Sequence, residues 1–160
     1  MRLLLMRHGV AEDAGPSTGF RDEPRALTPE GRERMIAAAR GVLRLDLGIR
    51  EIISSPLVRC AQTARIVGDV LGIAPTRDDR LRPGCDLDAV ADLLLEHPGS
   101  ECVLLCGHQP DMSGLVAELT GGMAEFRKGT LAVIEADALR PRGGYLKALY
   151  PPSTLRSIGV

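Results

Sequence analysis

Aromatic side chains are nearly missing from this chain of 160 residues, which has no Trp and only Phe20, Phe126, Tyr145 and Tyr150. Its core must therefore be aliphatic, and it carries no stacking platform for single-stranded nucleic acid. Lysine is almost as scarce, with Lys128 and Lys147 the two exceptions among 20 basic residues. The formal net charge is −1, with no polybasic or acidic run, so nothing points to nucleic acid or a charged membrane surface as partner. No apolar stretch approaches the length of a membrane span. The N-terminal apolar run begins without a charged leader region or a cleavage site, so a cytoplasmic protein is expected. The four cysteines, Cys60, Cys85, Cys102 and Cys106, form no paired C-x-x-C spacing for zinc. Cys102 and Cys106 fall on one face of a predicted strand and read as small core residues. Cys60 neighbours Arg59 near a helix start, a setting that can lower a thiol pKa, but it too reads as structural. Repeats and low-complexity segments are absent. With 44% hydrophobic residues the chain is long enough for one domain, residues 1–160, with a real core.

What is present concentrates at the ends of three apolar runs. Leu3-Leu4-Leu5-Met6 has no helical periodicity and reads as a buried parallel strand, ending in Arg7-His8-Gly9. Ligands bind at such strand ends. Arg7 offers a two-pronged phosphate donor, His8 a nucleophile or acid/base, and Gly9 a position that tolerates φ > 0 and close approach of a substrate. The same triplet would equally serve as a surface Arg, a capping His and a turn Gly.

Two further segments bear on that choice. After Glu51-Ile52-Ile53 comes Ser54-Ser55-Pro56-Leu57-Val58-Arg59-Cys60-Ala61-Gln62-Thr63-Ala64. A Ser able to cap, a Pro at the first helical position and a Pro-free stretch predict a helix whose free N–H groups attract anions at a strand end, with Arg59 one turn in. Val103-Leu104-Leu105-Cys106 is another buried run, ending in Gly107-His108, with Pro110 placed to open a helix. The chain has three histidines, and two of them stand beside glycine at strand ends. His97, before Pro98, reads as a solvated residue at a helix C-terminus and is assigned nothing.

Strands are expected near residues 2–6, 50–53, 101–106, 130–135 and 144–149, and helices near 28–46, 56–71, 86–96 and 110–119. Alternation of this kind predicts an α/β domain: a three-layer α/β/α sandwich around a mostly parallel sheet. Gly143-Gly144 suggests a hairpin-like turn and hence an antiparallel edge strand. Residues 11–26 form a long irregular segment leaving the strand of His8, expected to be the wall or lid of a pocket.

In the order Arg7-His8-Gly9, Leu27-Thr28-Pro29-Glu30-Gly31, Ser54 to Ala64 and Gly107-His108, the chain resembles the histidine phosphatase superfamily over essentially its whole length. It is similar within that superfamily to the short SixA-type phosphohistidine phosphatases. The resemblance implies a phosphoglycerate mutase-like fold, His8 as a transiently phosphorylated nucleophile, and Arg7, Arg59 and His108 around the phosphoryl group, with Gly9 beside them and Arg25 as a further phosphate-side arginine. It implies no cofactor and no metal. Larger members carry a carboxylate general acid after a leucine like Leu81. Here that segment reads Arg80-Leu81-Arg82-Pro83-Gly84-Cys85-Asp86, without one where it is expected. A phosphoramidate, whose nitrogen leaving group is readily protonated, needs a positioned acid less than an alkyl phosphate does. The expected function is therefore a phosphohistidine phosphatase acting on a phosphohistidine-bearing protein, as a monomer or weak homodimer. Glu12 and Asp13 stand as possible loop carboxylates for proton transfer. A small-molecule phosphomonoesterase and a non-catalytic phosphoprotein-binding module are the alternatives.

Overall fold

Leu3, Leu4, Leu5 and Met6 are all fully buried, and they alternate between two cores on opposite faces of one sheet. That is why the run shows no amphipathic period: both faces of its strand are covered. The computed structural model describes all 160 residues. Its elements are β1 (Arg2–Arg7), α1 (Pro29–Leu45), β2 (Glu51–Ser54), α2 (Val58–Leu71), β3 (Thr76–Arg77), α3 (Leu87–Leu95), β4 (Cys102–Gly107), α4 (Asp111–Thr120), β5 (Leu131–Ala136), β6 (Gly144–Tyr150) and α5 (Pro152–Ile158). The six strands lie in the order β3-β2-β4-β1-β5-β6. Leu3, Leu5, Ile53, Val103 and Leu105 pack under α3 and α4, while Leu4, Met6, Ile52 and Leu104 pack under α1, α2 and α5. The result is the α/β/α sandwich expected.

The last two strands pair antiparallel, but β5 also pairs antiparallel with β1, so the reversed strand is β5, one in from the edge, and β6 runs with the others. Two elements escape the sequence reading. The two-residue β3 is too short to carry a pattern. In α5 only Leu155 is buried, and it opens on Pro151-Pro152, so no apolar period announces it. Tertiary contact creates it instead: a Cβ on Gly41 would lie 2.0 Å from the Leu155 carbonyl oxygen, so α1 and α5 cross backbone to backbone there.

Parallel register decides what meets at the sheet's carboxyl edge. Arg7 lies opposite Gly107, so His8 and His108 follow side by side, and the His8 N–H donates to the Gly107 carbonyl at 3.1 Å. Ser54 lies opposite Cys106, so Ser55 extends β2 alongside Gly107, its N–H donating to the Cys106 carbonyl at 2.9 Å. Three strand ends thereby place one residue each at a single point.

Candidate active site

At that point stand His8, Arg59, His108 and Ser55, all buried. The His8 Nδ1 lies 2.7 Å from the Gly9 carbonyl oxygen, an acceptor, so this nitrogen carries the proton and Nε2 is left as a lone pair. Arg59 Nε donates to that lone pair at 3.1 Å. Burial, and then the nearby charges of Arg59 and Arg7, outweigh the Gly9 contact and push the His8 pKa down to about 3. His8 is therefore neutral and aimed at neutral pH.

His108 is arranged the other way round. Its Nδ1 receives Arg59 Nη2 at 3.2 Å, and its Nε2 lies 2.8 Å from the Ser55 hydroxyl oxygen, so the proton sits on Nε2. The two rings are edge-to-face with centroids 5.6 Å apart. Cys60, fully buried, closes the site behind His108, its Sγ 3.5 Å from Nε2. Burial pushes that thiol up, but Cys106, His108 and Arg59 together hold it below its ordinary value.

Arg59 is the hub. Besides both histidines it donates from Nη1 to the Asp22 carbonyl at 3.1 Å and from Nη2 to the Asp22 carboxylate at 3.0 Å. The other oxygen of that carboxylate takes Arg25 Nη1 at 2.8 Å, and Arg25 Nε donates to the Glu12 carbonyl at 2.6 Å. Arg25 thus lies one carboxylate away from Arg59 rather than against His8. Burial favours a protonated Asp22, but hydrogen bonds from Arg25 and Arg59 prevail and keep it below the usual carboxylate range, hence ionised. Arg7 donates from Nη1 to the Phe126 carbonyl at 2.8 Å, while its Nε is buried with no partner. Burial and the charge of Arg59 lower the Arg7 pKa, the mark of two guanidinium groups crowded at one site. Such a pair, with an orphaned N–H, is built to take an anion.

Several expectations need correction. α2 begins at Val58 with Leu57 as its cap, not at Pro56 behind a capping serine. The Ser55 hydroxyl is held by His108 and by the Leu57 N–H, and the Val58 N–H donates to the Glu23 carbonyl at 3.2 Å. The Leu57 and Val58 amides are therefore engaged by the chain itself, and the Arg59 side chain adds its own anion-binding chemistry at this end. Gly9 needs no positive φ; its backbone is not among the left-handed glycines. A Cβ there would lie 2.6 Å from Met35 Cγ, and its N–H donates to Thr63 Oγ1 at 3.0 Å, so it serves close packing and offers no free amide to a phosphate. His97 is not merely solvated, because its Nδ1 meets Glu51 at 2.6 Å. The carboxylates of Glu12 and Asp13 are exposed and paired with nothing. The loop carboxylate at the site is Asp22, which the sequence marked only as part of a wall. Ser55 was visible but read as a cap.

Residues 3–83 match the model of the histidine phosphatase superfamily, branch 1. The chain belongs to the histidine phosphatase superfamily. It is 32% identical over 126 residues to phosphohistidine phosphatase SixA of Escherichia coli K12, covering 76% of each chain. It is 35% identical over 147 residues to an uncharacterized protein of Picosynechococcus sp., covering 88% of each. Among solved structures, the protein histidine phosphatase SixA complexed with tungstate superposes with a TM-score of 0.84 at 28% identity, over 97% of this chain and 99% of that one. This histidine phosphatase is of SixA type and is a phosphatase hydrolase. No group of three His, Cys, Asp or Glu side chains is spaced to hold a metal ion.

Proposed function

We propose that this protein hydrolyses phosphohistidine on a protein substrate through a phosphorylated His8. The observation that carries the reading is the bare Nε2 of a neutral, buried His8, fixed by the Gly9 carbonyl and facing Arg59. The Nε2 lone pair attacks phosphorus in line, forming one N–P bond as the substrate's N–P bond breaks and its imidazole leaves. Arg59 yields the Nε2 contact as its guanidinium, positioned by His108 Nδ1, takes the equatorial oxygens with Arg7; Arg25 supports the same charge through Asp22. Water then cleaves phospho-His8, releasing phosphate and restoring the imidazole. Arginines supply the positive charge, so no step is routed through a metal.

The choice of phosphohistidine rests on proton supply. Beyond β3, Asp78 and Asp79 are tied to Arg80 and Arg82, and Asp86 caps α3, accepting from the Ala89 N–H. Asp22 is held ionised by two arginines. None of these four stands ready to protonate an alkoxide, while Glu12 and Asp13 stay exposed and unpaired in the loop; an imidazole leaving group needs less help. Rates on a phosphohistidine peptide, an aryl phosphate and a sugar phosphate test this. The peptide and the aryl ester should exceed the sugar phosphate by about two orders of magnitude or more, the scale of a missing general acid. A sugar phosphate turned over as fast as the peptide overturns the reading in favour of a phosphomonoesterase. A protein that binds phosphohistidine and never acquires label on His8 is a binding module.

A further inference from the structure

On the β2 side of the site most arginines are paired, Arg25 with Asp22, Arg80 with Asp78 and Glu96, and Arg82 with Glu23 and Asp79, while the exposed Arg21 and Arg77 are in no ion pair. On the β5 side the balance is different. A cleft of about 690 Å³ is lined by Arg7, Arg34, Arg127, Lys128 and Arg156, against a single carboxylate, Glu125. Arg34 and Arg127 make exposed pairs with Glu30 and Glu125, the latter at 3.4 Å. Such pairs are screened by water and contribute little. Arg7, Lys128 and Arg156 are in no ion pair at all. In a chain of net charge −1 this is a local excess of positive charge with no structural partner.

The cleft is joined to the reacting histidine by backbone. The Gly129 N–H donates to the carbonyls of both Arg7 and His8 at 3.1 Å, and the Arg7 N–H donates to the Thr130 carbonyl at 3.1 Å. Lys128 therefore sits one residue from a group bonded to the peptide of His8. Arg7 closes the arrangement by lining the cleft while lying next to His8 in the chain. The lining has no aromatic side chain on which a base could stack.

We infer that this cleft is a second anion subsite that binds carboxylate side chains flanking the phosphohistidine of the protein substrate, and so selects acidic partners. The inference rests on the proposed phosphohistidine activity for its substrate. Unpaired cations beside a reacting centre raise the local concentration of an anionic ligand and bind it in a salt-dependent way. Flanking glutamates lying along residues 125–130 and the start of α5 would meet Lys128, Arg156 and Arg127 in turn.

The test uses two phosphohistidine peptides that differ only in carrying three flanking Glu or three flanking Gln, with phosphoramidate as a substrate too small to reach the cleft. The wild type should prefer the Glu peptide by about tenfold in kcat/KM, as a few rim charge pairs allow, with the preference shrinking as salt is added. The double variant Lys128→Glu with Arg156→Glu should lose or invert that preference while turning over phosphoramidate like the wild type. Equal kcat/KM for the two peptides in the wild type, or an unchanged preference in the variant, overturns the subsite. Failure of the phosphohistidine reading shows separately, as no turnover of phosphoramidate beside good turnover of an aryl phosphate. The subsite is then scored by the same peptides, unphosphorylated, as inhibitors of aryl phosphate hydrolysis: stronger inhibition by the Glu form that the variant abolishes supports it, and equal inhibition overturns it.

Discussion

His8 and His108 occupy matching positions, each one residue beyond the end of a parallel strand and each next to glycine, yet they are held as opposite tautomers. His8 donates from Nδ1 to a carbonyl that follows it in the chain, leaving Nε2 bare; His108 donates from Nε2 to Ser55 and accepts Arg59 on Nδ1. The first arrangement leaves the lone pair of a nucleophile; the second fixes the His108 ring between Ser55 and Arg59 and so holds the Arg59 guanidinium in place. The difference comes from what lies beside each ring. Register alone would have made the two equivalent.

The largest effect should come from removing the nucleophile. His8→Ala should lower turnover by about 10⁴-fold or more with no label trapped on the protein, whereas His108→Ala should lose about 10²–10³-fold and still form phospho-His8. Rapid-quench labelling separates the two, and equal labelling of both variants would erase the proposed distinction. Next in size is Arg59→Lys, which keeps the charge but cannot serve two histidines and Asp22 at once. A loss of at least about tenfold in kcat/KM is expected, with the thermal midpoint little changed. Wild-type kinetics would remove Arg59 from its proposed role on the phosphoryl group.

Ser55→Ala sharpens the comparison without touching His8. His108 loses its Nε2 acceptor, and a rate loss of about tenfold is expected, the cost of one buried hydrogen bond. Histidine ¹⁵N spectra should show the His108 tautomer disturbed and the Nδ1–H form of His8 intact; the same tautomer on both rings in the wild type would contradict the assignment. The smallest effect is on stability. Unfolded, His8 titrates near 6.5; folded, burial holds it to about 3. Between those values the unfolded chain binds a proton that the folded one does not. Stability from this group is therefore complete above pH 6.5 and declines as pH falls through that window. Denaturant melts of His8→Gln should show a shallower acid slope than the wild type, and parallel slopes would mean that His8 titrates normally in the fold.

Legibility followed the range of the interactions. Both apolar runs, their strand character and the Arg7-His8 and Gly107-His108 endings were readable because each is a local pattern. Arg59 was readable as one turn into a helix, although the helix starts two residues later than Pro56 suggested. Asp22 was not, since a lone carboxylate in an irregular segment has no pattern and acquires meaning only by meeting an arginine 37 residues on. Ser55 was misread for the same reason: a serine before a helix looks like a cap until His108, 53 residues away, takes its hydroxyl.

By itself the sequence determined the layered α/β architecture and the chemical kinds of group at the sheet's carboxyl edge. Burial on both strand faces and the placing of His and Arg at strand ends are written in consecutive residues. Only the tertiary structure decided which nitrogen of each histidine is bare, which arginines are neutralised and which stay free beside Lys128 and Arg156. Those outcomes depend on hydrogen-bond and charge partners brought together across many tens of residues, which no local pattern encodes.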